Sequence, residues 1–139
     1  MKQVITFVII LALTLSYATP VHAAEVSPIS PCYVNAESVQ ASLSISSTGT
    51  ASIRVVCISN KAVTQITATT RIEKKVGNAW IQVDLNNGSN TWTYSTTLSG
   101  LSKNYSLQLS ETGEYRVVTV FVLTGNTTET ITCTGTDTY

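Results

Sequence analysis

The chain has 139 residues, 43% apolar and 12% charged, with eight bases balancing eight acids. That length holds one domain, and a neutral balance excludes the clustered Lys and Arg that phosphate backbones require, so no nucleic-acid partner is expected. Ser and Thr supply 39 residues, so hydroxyls take the solvent-facing positions that charges hold in a typical chain, where they make up about 25%.

Residues 1–23 read as a signal peptide. Lys2 precedes an apolar run from Val4 to Leu15, and Val21-His22-Ala23 offers small enough residues for cleavage after Ala23. A spanning helix needs about 20 apolar residues, and this run stops at Ser16. A secreted, extracellular chain with no membrane span after cleavage is therefore expected. No cysteine directly follows the apolar run, so no lipid anchor is implied. Cleavage also removes His22, the sole histidine. Without imidazole neither a Ser-His-Asp nor a Cys-His mechanism can run, and the commonest transition-metal ligand is gone. The remaining acids, Glu25, Glu37, Glu73, Asp84, Glu111, Glu114, Glu129 and Asp137, are scattered. The expectation is no enzyme, with no catalytic residue, metal or cofactor.

Residues 24–38, with Pro28 and Pro31, read as an extended leader without periodicity, and residues 39–139 as the domain. Ala41, Leu43 and Ile45 alternate with serines, and after Ser47-Thr48-Gly49 so do Ala51, Ile53, Val55 and Cys57 with Ser52, Arg54 and Val56. This predicts a β-hairpin with one buried face. A third strand places Ile66, Ala68, Thr70 and Ile72 inward, and a second hairpin turns at Gly77 into Trp80–Leu85. Asn86–Asn90 is a loop by composition, followed by short strands at Thr91–Ser95 and Tyr105–Leu109. Tyr115–Leu123 is apolar on both faces, the mark of a central strand. Thr127–Thr134 closes the series with Ile131 and Cys133 inward and threonines outward. About seven to nine short strands with no helical period make an all-β, antiparallel two-sheet sandwich.

Glu111-Thr112-Gly113-Glu114-Tyr115-Arg116-Val117 resembles the tyrosine corner of immunoglobulin domains through Glu111, Gly113 and Tyr115. The resemblance implies an immunoglobulin-like sandwich in which the Tyr115 hydroxyl reaches an upstream carbonyl. Val117 stands where that family places a cysteine, and no tryptophan follows Cys57 until Trp80, so the antibody-type disulfide is not expected. In such a topology the leader returns to the end of the second strand, which favours a Cys32–Cys57 bridge, with Cys57–Cys133 across the core as the rival. The signal peptide, the Ser-Pro-Cys-Tyr leader, Ala41–Ser46, Ile72–Trp80 and Gly113–Val117 together resemble small secreted single-domain immunoglobulin-like proteins of Gram-positive bacteria. That group has no assigned activity and lends no functional residues.

Trp92 and Tyr94, two apart on one strand, and Trp80 on another are the candidate binding residues, because aligned rings can stack on sugars. The same rings could fill the gap between sheets, and Trp80, beginning a strand apolar on its other face, fits the core better. The ladder Thr128, Thr130, Thr132 and Thr134 could meet a ligand or an edge strand, or simply reflect strand propensity. The reading that results is a non-enzymatic binding or adhesion module for an extracellular protein or glycan. The alternatives are a small secreted effector (toxin, bacteriocin or protease inhibitor) acting through a loop such as Asn86–Asn90, and edge-strand self-association.

Overall fold

A computed structural model describes residues 33–139. The signal peptide and the leader through Cys32 lie outside the described residues, and with them the expected Cys32–Cys57 bridge.

The alternation read from the sequence becomes eight strands: β1 (Ala36–Ile45), β2 (Thr50–Ser59), β3 (Val63–Val76), β4 (Ala79–Gln82), β5 (Trp92–Thr96), β6 (Gly100–Gln108), β7 (Glu114–Gly125) and β8 (Thr128–Thr138). They form an all-β sandwich of two antiparallel sheets. One has the order β1-β2-β6 and the other β4-β3-β7-β8, with β5 also pairing β3. Ile66–Thr70 of β3 pairs with β5 and Glu73–Val76 with β4, so two short strands share one edge.

Between the sheets lie Ile53 and Val55 of β2, Ile66 and Ile72 of β3, and Val117, Phe121 and Leu123 of β7, all buried. Two inward threonines sit among them. Thr70 and Thr119 are register partners whose hydroxyl oxygens are 3.0 Å apart. Each satisfies the other, which is what permits polar groups at full burial.

The first hairpin forms on the expected turn, with the Gly49 amide donating to the Ser46 carbonyl (2.9 Å) and Gly49 at φ 82°. Its register sets Val39 opposite Cys57. The strand nevertheless begins at Ala36, inside the stretch read as a leader. The Glu129 carboxylate accepts the amides of Val34 (3.0 Å) and Asn35 (2.7 Å), and the Asn35 side chain donates to the Thr127 carbonyl (3.1 Å). A partner 92 to 95 residues away fixes this start, so no local period announces it.

β1 runs alongside β8 in the same direction. Asn35 lies beside Thr127 and Glu129, Ala41 to Leu43 beside Gly135, and the Ile45 amide donates to Asp137 Oδ2 (2.7 Å). A Cβ on Gly135 would stand 2.8 Å from the Ala41 carbonyl oxygen, so only glycine lets the backbones meet here. This register brings Cys133 to the level of Cys57. The two thiols are free, so the rival Cys57–Cys133 bridge is not formed. Burial first, and the neighbouring Cys133 second, push the Cys57 thiol up to about 11.

Candidate functional site

The three candidate aromatics are not brought together. The two-residue Gly77-Asn78 connection sets Lys75 opposite Trp80. Because Ile66, Ala68, Thr70 and Ile72 point inward, the odd residues of β3 point outward, and Trp80 goes with them. It is half-buried on the outer face of the five-stranded sheet, with the Arg116 guanidinium 4.4 Å and the Lys75 ammonium 5.7 Å from its ring centroid. The core placement expected for Trp80 is thus corrected by the parity of a tight hairpin.

Trp92 and Tyr94 pair with Thr70 and Ala68 and so face the interior side of the sheet, at its edge. Trp92 stacks on Tyr105 of β6, with ring centroids 4.7 Å apart and planes within 4°. The Lys103 ammonium lies 3.6 Å over the Tyr94 ring. The pair closes the seam between β5 and β6. Each of the three candidate rings therefore already has a face occupied by another side chain of the chain. Tyr105, not among the candidates, was hidden because its contact depends on β5 pairing with β3.

Outward from the same sheet lies a surface of a different kind. Two rows cross it, Thr93-Thr69-Val120-Thr132 and Ser95-Thr67-Val122-Thr130, each built from register partners on four strands. Neither row carries a charge. Hydroxyl pairs, Thr67 with Ser95 (2.8 Å) and Thr69 with Thr93 (3.3 Å), tie β5 to β3. The outward threonines of β8 are exposed, as its alternation predicts.

Charge gathers at one end of this face. Arg71 and Arg116 both donate to Glu73, whose side chain is nearly buried. Burial pushes the Glu73 carboxyl up, and the two guanidiniums more than offset it, holding it below the usual carboxylate range. Val118, the register partner of Arg71, is 3% exposed beneath these side chains.

The tyrosine corner is present: the Tyr115 hydroxyl donates to the Glu111 carbonyl (2.6 Å), and Glu111 itself pairs with Lys74. Gly113, at φ 147°, exchanges two backbone bonds with Tyr139. The Asn86–Asn90 loop is held by its own amides. Asn87 Oδ1 accepts the amides of Ser89 (3.1 Å) and Asn90 (2.9 Å), and Asn86 and Asn90 both sit at φ 54°. Between β4 and the end of β6 a groove of about 460 Å³ is lined by Val76, Ile81, Val83, Leu107, Leu109 and Tyr115 among others.

Among the described residues no three His, Cys, Asp or Glu side chains gather as a metal site, and no helix is long and apolar enough to cross a membrane. No protein-family model, curated protein or solved structure matches the chain.

Proposed function

We propose that this chain is a secreted, non-catalytic binding module of immunoglobulin-like architecture, and that it meets an extracellular protein through the outer face of its five-stranded sheet. The signal-like N-terminus supports export, and the Tyr115–Glu111 bond supports the architecture.

The observation that carries the reading is the pair of charge-free rows of Thr, Ser and Val across four strands. Protein interfaces are depleted of charge at their centres and rimmed by polar groups, and here the Glu73 cluster supplies such a rim at one end. A glycan platform would want rings with free faces, and Trp80, Trp92 and Tyr94 each already carry a cation or another ring. That favours protein over glycan.

Labelled chain applied to its native extracellular surface tests this. Binding should be lost after protease treatment, survive periodate, and fall at least tenfold with Val120→Lys, while Arg54→Ser on the other sheet leaves it intact. Binding that resists protease and is lost to periodate would move the reading to a glycan. Binding unaffected by Val120→Lys would remove the face from it.

The internally hydrogen-bonded Asn86–Asn90 loop favours the second reading, a small effector acting through that loop. Growth inhibition or protease inhibition abolished by Asn87→Ala would establish it.

A further inference from the structure

The edge of the five-stranded sheet carries an inference independent of what binds its face. The reciprocal bonds between Gly113 and Tyr139 fix the parity of β8 against β7. In an antiparallel ladder, residues alternate between exchanging both backbone bonds with the partner and turning both away from it. Odd residues of β8 from Tyr139 backward therefore bond to β7, and the even ones, all threonine from Thr128 to Thr138, turn their N–H and C=O groups to the open edge. Thr138 already spends its amide on Asp137 (2.8 Å). Thr128, Thr130, Thr132, Thr134 and Thr136 remain, an edge of five donors and five acceptors.

Proteins blunt such edges with Lys, Pro, bulges or inward charges. β8 contains no Lys or Pro, and its register with β7 is unbroken from Thr138 to Thr128. Its two acids are engaged elsewhere: Glu129 and Asp137 accept the amides of Val34, Asn35 and Ile45. They cover the edge of β1 and leave that of β8 open.

We infer that β8 pairs with β8 of a second copy, antiparallel about a two-fold axis through Thr132, joining two five-stranded sheets into one. The edge is self-complementary in that register. Thr132 meets its own counterpart, Thr130 meets Thr134, and Thr128 meets Thr136, so each pair exchanges two backbone bonds and sets threonine beside threonine on the outer face. Charge selects the register. Centring on Cys133 would gain two residues of overlap per strand but would set Glu129 opposite Asp137 twice, and like charges directly opposite oppose pairing. Centring on Thr132 sets Glu129 opposite Gly135. One strand edge buries little area beside a standard interface of about 1,600 Å², so the dimer is weak and concentration-dependent.

Light scattering and amide hydrogen exchange of the purified chain, from micromolar to millimolar concentration, test this. The mass should rise toward twice the monomer. The amides of Thr130, Thr132 and Thr134 should gain protection with concentration, while those of Ile131 and Cys133, bonded to β7, stay protected throughout. Thr132→Pro removes a donor that the fold does not use and should weaken the dimer at least tenfold. Thr132→Lys, which keeps the amide but sets two cations on the axis, should do the same. A monomer mass at every concentration, a dimer that both variants leave unchanged, or concentration-dependent protection confined to other strands would each overturn the inference.

Discussion

Along the seam between β1 and β8 the two sheets meet backbone to backbone, whereas between β6 and the β4/β5 edge they meet through side chains. The first seam is held by the missing side chain of Gly135 and by carboxylates on free amides. The second is held by the Trp92–Tyr105 stack, and beyond it remains a groove where Val76 and Ile81 stay 57% and 54% exposed. The five-stranded sheet overhangs a three-stranded one, and side chains bridge only part of the overhang. A seam closed by main chain tolerates no added volume; one closed by rings should tolerate loss and repacking.

The largest effect should come from Gly135→Ala. The new methyl would face the Ala41 carbonyl oxygen, the Ser42 Cα and the Leu43 nitrogen at 2.8 to 3.2 Å. All are backbone atoms that cannot swing aside, so the cost should reach about 3 kcal/mol, the upper end for overpacking. Trp92→Ala should cost about 2 kcal/mol, less than a fully buried ring because Trp92 is half-buried. Urea unfolding of both variants ranks the seams, and a larger loss at Trp92 would reverse their order.

Tyr115→Phe, in the lining of the groove, keeps the ring and deletes its bond to Glu111. It should cost about 1.5 kcal/mol. An unchanged unfolding midpoint would show that the corner contributes packing alone.

The smallest effect separates the seams by pH. The amides of Ile45 and Thr138 hold Asp137 below the ordinary aspartate range, so it binds a proton less readily folded than unfolded. Its contribution is whole above the unfolded value near 3.9 and is lost as pH falls through the lower folded one. Hydrogen exchange at Ile45 should accelerate in that acid window while the Tyr105 amide is unmoved. Equal acceleration at both would mean that acid loosens the whole sandwich.

The sandwich, its first hairpin and the tyrosine corner were legible because each is local: the turn at Gly49 sets Val39 against Cys57, and Glu111 to Tyr115 is one short segment. The outward face of Trp80 was legible too, by counting parity from Lys75 across Gly77-Asn78, although its apolar neighbours pointed to the core. The early start of β1 and the Trp92–Tyr105 stack were not, since each depends on partners that only the assembled topology brings near. Gly135 left a trace as a lone glycine in a threonine strand, a sign of close backbone approach. What it approached could not be read from β8 alone.

The parallel course of β1 and β8 has a mechanical consequence. Tension applied between the start of β1 and the end of β8 would draw the strands along each other rather than peel them apart. The contacts at Glu129, Gly135 and Asp137 are spread along that shared length, so they would bear the load together and yield together. Resistance of this kind is set by the rate of unfolding and not by equilibrium stability. For a module that tethers one surface to another, it would keep the domain intact while its attachment is pulled.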